Sequence, residues 1–267
     1  MHHKRMGRFS VLAILLTLAL YASIVFTKMV FAETSATVDA HRTVVVELFT
    51  SEGCSSCPPA DELLGHLRQD LSAKNIQVIP LGFHVDYWNS QGWKDRFSSA
   101  SFSQRQEQYA KSLKVDGPYT PQMVVDGTSE FVGNSAAQAQ RAISQAAGQP
   151  ELAAVEISAV NPDKLAVQVK AAGSANAATV MLAITEDNLT TKVGSGENGG
   201  RTLHHAAVVR ELRQLGHLHN GSYEASVPLK LERDWKREDL HAVVFVQEGS
   251  SGKIQGAASV MLVGQLR

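Results

Sequence analysis

Cysteine is nearly absent: 267 residues contain 2. An exported protein that relied on disulfides for stability would carry several, spaced to close long loops. Basic excess is missing too, with 25 Lys and Arg against 26 Asp and Glu, a formal net charge of -1. That balance argues against nucleic acid as a partner. Charged residues make up 19% and hydrophobic residues 44%, so the chain is too apolar for disorder and long enough for one or two cored domains. No internal repeat is evident, and no cofactor is expected.

The first residues have a different texture. Lys4, Arg5 and Arg8 precede an apolar run from Val11 to Phe26, and Val30-Phe31-Ala32 supplies residues suited to cleavage. This is the pattern of a secretory signal peptide over 1–32, with membrane attachment only if it is uncleaved. Cleavage after Ala32 would also remove four basic residues and leave a more acidic protein, exported to a periplasmic or extracellular space.

The two cysteines stand in Thr50-Ser51-Glu52-Gly53-Cys54-Ser55-Ser56-Cys57-Pro58-Pro59-Ala60-Asp61. Ahead of them Thr43 to Phe49 reads as a buried strand, and behind them Leu63, Leu64, Leu67 and Leu71 recur at helical spacing. A thiol at a helix start faces unpaired N–H groups and the positive end of the dipole, which favours its thiolate. Cys54 is the expected nucleophile and Cys57 the resolving thiol. A bridge across two residues restricts the unfolded chain little, so chemistry explains the pair better than stability does.

Ile76 to Phe83 reads as a second strand, running into His84-Val85-Asp86-Tyr87-Trp88-Asn89. A right-handed crossover would put Cys54 and His84 at one rim of a parallel pair. Residues 91–114 suggest one or two amphipathic helices. After Pro118-Tyr119-Thr120-Pro121, two short strands flank Asp126-Gly127 as a hairpin, and Asn134 or Ser135 caps a helix through Ala147.

This order of elements, with C-x-x-C opening the first helix and Thr120-Pro121 beginning a later strand, resembles the thioredoxin fold. The resemblance implies a redox pair at Cys54 and Cys57, a cis-proline at Pro121 and a proton-handling carboxylate at Glu47. Thr120, Trp88 and Tyr87 would then line the substrate groove. More narrowly, Glu47 to Asp61, His84 to Trp88 and Thr120-Pro121-Gln122 resemble the secreted bacterial proteins of domain-of-unknown-function family 1223, from about residue 42 onward.

From Glu151 short alternating segments argue a β-sandwich. The expected architecture is therefore an α/β thioredoxin-like domain over 42–149 followed by a mainly β, sandwich-like region over 150–267. Gly194 to Gly200 reads as a long flexible loop, and His204, His205, His217 and His219 as scattered surface histidines, with His204 and His205 on opposite strand faces.

The leading expectation is a thiol–disulfide oxidoreductase whose partner is a disulfide-bearing or dithiol protein or small molecule. The alternatives are copper handling, with Cys54, Cys57 and His84 as ligands, or a non-catalytic binding protein whose disulfide only pins a helix start.

Overall fold

The computed structural model describes residues 42–70, 75–172, 178–249 and 251–262. The signal-peptide reading of 1–32 lies outside the described residues.

Strand β1 (Arg42–Thr50) and strand β2 (Ile76–His84) pair in parallel, joined by helix α1 (Pro58–Asp70). Helix α2 (Ala100–Leu113) starts at Ser99, whose hydroxyl accepts from the Ser101 N–H, and stops at Lys114 in the left-handed region. Strands β3 (Gln122–Val125) and β4 (Ser129–Val132) form the expected hairpin. Asp126 and Gly127 both have positive φ in the three-residue loop, where the Thr128 N–H donates to the Val125 carbonyl at 3.0 Å. Helix α3 (Ala136–Ala147) is capped by Ser135.

The second half supplies β5 (Ala153–Asn161), β6 (Lys164–Ala171), β7 (Ala178–Glu186), β8 (Leu189–Lys192) and β9 (Thr202–His205). It continues with β10 (Val208–His217), β11 (Ser222–Pro228), β12 (Leu240–Glu248) and β13 (Ile254–Met261).

These strands do not build the expected architecture. An α/β thioredoxin-like domain followed by a separate sandwich is overturned by one eight-stranded mixed sheet, ordered β13-β12-β7-β10-β2-β1-β3-β4. Four strands of the second half and four of the first meet in it side by side, and the molecule is mostly β. The junction is local: β10 joins β2 in parallel at Val208 and Gly82, where the Gly82 N–H donates to the Ala207 carbonyl at 2.8 Å. Hydrophobic period identifies a strand but not the sheet to which it belongs, and β2 takes neighbours from both halves.

Alternation along the strands divides the core. Val45 and Phe49 of β1, Leu81 and Phe83 of β2, and Val243 and Phe245 of β12 share one face, packed on Phe102 and Tyr109 of α2. Val44, Val46 and Leu48 point the other way, onto Leu64 and Leu67 of α1 and Ile143 of α3. On that same side, Leu182 and Val244 pack against Leu165, Val167 and Val227 of a three-stranded sheet, ordered β11-β6-β5. The sandwich expected of the second half is therefore partial: three strands lie over a sheet that both halves share. Gly256 permits the close approach of β13 to β5, since a Cβ there would lie 1.8 Å from the Ala153 carbonyl oxygen.

Candidate functional site

At the carboxyl end of β1 the chain turns, with the Cys54 N–H donating to the Ser51 carbonyl at 3.1 Å. The first helical bond of α1 runs from the Asp61 N–H to the Cys57 carbonyl at 3.1 Å, so Cys57 is the cap residue and Cys54 lies in the turn before it. Pro58 and Pro59 occupy the first two helical positions, where a missing N–H costs nothing. Cys54 and Cys57 form a disulfide, Cα to Cα 5.4 Å. Both cysteines are 0% exposed, whereas Ser55 and Ser56 between them face solvent.

Joined to the cysteine turn through Glu52 is a group of buried ionisable side chains: Glu52, Asp61, His84, Asp95 and His205. His84 Nδ1 is 2.6 Å from Asp95 Oδ2, and the same oxygen accepts from the Glu52 N–H at 2.9 Å. Glu52 Oε2 accepts from the Trp93 indole at 2.7 Å, and its Oε1 is 3.3 Å from His205 Nε2. The rings of His84 and His205 meet edge to face at 5.1 Å.

Burial opposes charge on Glu52, Asp61, His84 and Asp95, and the outcome differs among them. For Asp61 burial dominates: despite the nearby His84, His205 and Thr50, its carboxyl is pushed up to about 6. For Asp95, burial is outweighed by His84 and by the Glu52 and Phe97 N–H groups, so its carboxyl stays below the usual range. Glu52 is lowered as well, its burial overcome by the neighbouring His205 and Thr191 side chains and by the hydrogen bond from Trp93. His84 is raised, because Asp95, Asp61 and Glu52 together exceed the cost of burying its charge.

Residues 45–247 match the family described as protein of unknown function, DUF1223. The chain belongs to this family. A crystal structure of an Agrobacterium tumefaciens protein is 27% identical, covers 84% of this chain and 96% of its own, and superposes with a TM-score of 0.66. A domain of the outer membrane lipoprotein Omp28 from Porphyromonas gingivalis is 14% identical, covers 40% of this chain and 84% of its own, and has a TM-score of 0.23. No curated protein matches the chain.

In this DUF1223 protein the Thr120–Pro121 bond is cis. Trp88 connects it to the cysteine turn: its indole donates to Thr120 Oγ1 at 2.9 Å, while its Cβ would lie 3.2 Å from any Cβ added at Gly53. Tyr87 is 38% exposed, and its hydroxyl donates to Gln106 Oε1 at 3.2 Å.

Glu47 belongs elsewhere. It shares the face of β1 that packs on α2, opposite α1, and both its oxygens are engaged by Arg105 and Tyr109, at 2.5–3.0 Å. On the helix that Cys57 caps, the buried carboxyl is that of Asp61, four residues on, whose N–H donates to the Cys57 carbonyl. His84, named as a copper ligand, commits Nδ1 to Asp95. Among the described residues no group of three or more His, Cys, Asp or Glu is arranged to hold a metal ion.

Several residues of the site come from the second half and carried no signal in the sequence. His205 is buried rather than a surface histidine, while His204 is exposed, as strand alternation requires. The glycine-rich segment read as a flexible loop is tied to the cysteine turn. Asn198, 0% exposed, donates through Nδ2 to the Glu52 carbonyl at 3.0 Å and the Cys54 carbonyl at 2.9 Å. Glu197 Oε2 accepts from the Ser55 N–H at 3.0 Å.

Proposed function

We propose that this DUF1223 protein is an exported thiol–disulfide oxidoreductase that works through Cys54 and Cys57. The observation that carries the reading is the disulfide across two residues at a helix start, in a turn whose Glu52 joins it to the buried Asp95, His84 and His205, with the buried Asp61 four residues past Cys57. Burying so many ionisable groups is costly, and such clusters concentrate where protons are handled.

In the oxidising direction for the protein, the Cys54 thiolate attacks one sulfur of a substrate disulfide and displaces the other as thiolate. The Cys57 thiolate then attacks Cys54, releasing the second substrate thiolate. Two electrons pass to the substrate, and the protein ends as the disulfide. Run backwards, the same steps oxidise a substrate dithiol. Asp61, four residues into the helix from Cys57, is the proposed acceptor of the Cys57 proton. Trp88, Tyr87 and Thr120, with Pro121, line the approach to the turn. Export rests on the N-terminal sequence pattern and suits a pair that must persist as a disulfide.

The test is turnover of a protein disulfide such as insulin. Cys54→Ser is expected to abolish it, and Cys57→Ser to trap mixed disulfides on Cys54. Native-like turnover by Cys54→Ser would end the proposal.

One observation favours a second reading, a binding protein whose disulfide only pins the start of α1: both cysteines are fully buried. Under that reading the reduced native protein would resist alkylation at Cys54, and under the first it would not.

A further inference from the structure

An exchange reaction needs an incoming sulfur in line with the S–S bond, yet neither cysteine is exposed. Some part of the surroundings must therefore move. On the core side this would mean lifting α1, whose Ala60, Leu64 and Leu67 are buried, or the end of β1, where Phe49 and Thr50 are buried. Trp88 is fixed by Thr120. Ser56 Oγ lies 3.4 Å from Cys54 Sγ on the exposed link between the cysteines, and against that turn sits the connection between β8 and β9, residues 193–201, whose attachment is of another kind.

Only Val193 and Asn198 of this segment are buried, while Gly194, Ser195, Gly196, Glu197, Gly199 and Gly200 face solvent. Gly196 and Gly200 have φ of 76° and 82°, a backbone state that costs other residues energy and leaves glycine free to move through it. No apolar side chain of 194–200 enters the core. The segment is held to the cysteine turn by the two hydrogen bonds from Asn198 and the one to Glu197, with Arg201 Nη1 bracing Asn198 Oδ1 at 2.8 Å, and to the loop before Asp95 by Ser195 Oγ donating to the Gly92 carbonyl and by its glycines packing close to Trp93.

We propose that residues 193–201 form a gate over the Cys54–Cys57 bond, shut by Asn198 and Glu197 while the disulfide is intact and loosened by the negative charge that reduction places on Cys54. Reduction by a dithiol delivers two electrons to the S–S bond, the dithiol becoming a disulfide. The neutral bond is replaced by two sulfurs, one of them a thiolate at ordinary pH.

That thiolate competes for the N–H groups of the turn, where Glu197 already holds the one on Ser55, and it repels the Glu197 carboxylate. Hydrogen bonding to Ser55 keeps that carboxylate ionised, its carboxyl lying below the usual range. The other charges around the cysteine turn are Arg201 on the gate, and Glu52, Asp61, His84, Asp95 and His205 in the buried group. The gate thus favours the oxidised state and reopens when the site is reduced. This rests on the redox reading of the cysteines, but its test does not.

The measurement is the rate at which dithiothreitol reduces the native disulfide, followed by alkylation and mass spectrometry, together with the Cys54 pKa from the pH dependence of alkylation. Each hydrogen bond is worth roughly a fivefold change in an equilibrium. Asn198→Ala is therefore expected to speed reduction about tenfold or more. Glu197→Gln keeps an acceptor and removes the charge; it should speed reduction about threefold and lower the Cys54 pKa by about half a unit, both effects shrinking in 1 M salt.

If Asn198→Ala loses its cooperative fold, Arg201→Ala carries the same test with a smaller rise. Rates within twofold of the native protein in all these variants would overturn the gate, and an unmoved Cys54 pKa in Glu197→Gln would overturn its coupling to charge. A protein inert toward insulin but gated toward dithiothreitol would refute the redox function and keep the gate. An active protein with unchanged rates would do the reverse.

Discussion

Asp61 holds its proton to a pH near 6, where an ordinary aspartate has lost it. A folded pKa above the unfolded value means that the folded state binds the proton more tightly. The resulting stability is complete below about pH 4 and is lost as pH rises toward 6. A shift of about two units corresponds to about 3 kcal/mol. Asp61→Asn cannot titrate, so it should be more stable than the native protein at pH 7, by roughly 1–3 kcal/mol, and gain nothing at pH 3.5. Urea unfolding at the two pH values checks this, and a difference independent of pH would refute it. Asp95 has the opposite sign: its lowered carboxyl contributes stability above the ordinary carboxylate range that disappears as pH falls.

The residues of the site differ in how far the sequence reveals them. Cys54, Cys57, Thr120, Pro121 and Trp88 are legible because short motifs fix their neighbourhood. Glu47 misleads because one step along a strand reverses the face, and a resemblance does not record which face α1 covers. His205 and Asn198 stand about 150 positions from the cysteines they approach, and nothing local marks them.

Among elements, the longer strands of the second half carry the alternation that marks them in the sequence, whereas β8 and β9, four residues each, are too short to show it. Their pairing is another matter, because alternation does not state a partner. Two substitutions test the packing. Gly256→Ala sets a Cβ against the Ala153 carbonyl and should separate β13 from β5, lowering the melting temperature while the cysteine site stays reactive.

Arg105→Ala leaves the buried Glu47 with the Tyr109 hydroxyl and without its cationic partner, at a cost of about 3–5 kcal/mol, or roughly 10 °C in melting temperature. Since this pair lies on the α2 face of the sheet, the Cys54 pKa should not change. If it falls or rises by a full unit, the two faces are coupled and Glu47 belongs to the site after all.

At the scale of the molecule, the sheet is the unit of folding. Cutting the chain after Gln149 would leave the β2 edge without β10 and expose Leu81 and Phe83, which now share a core with Val243 and Phe245. Such a fragment is expected to aggregate rather than give a soluble monomer by size-exclusion chromatography; a monodisperse, cooperatively melting fragment would show that the first half folds by itself. The shared sheet also explains why the second half reaches the cysteines: β10 enters beside β2, and the β8–β9 connection is thereby carried over the turn. The central claim is that Cys54 exchanges electrons with a substrate sulfur. Mass spectrometry of purified, reduced Cys57→Ser after incubation with oxidised glutathione tests it most directly. One glutathione adduct on Cys54, formed faster than on an unfolded control peptide, is the result expected here, whereas a native protein whose Cys54 forms no adduct would contradict it.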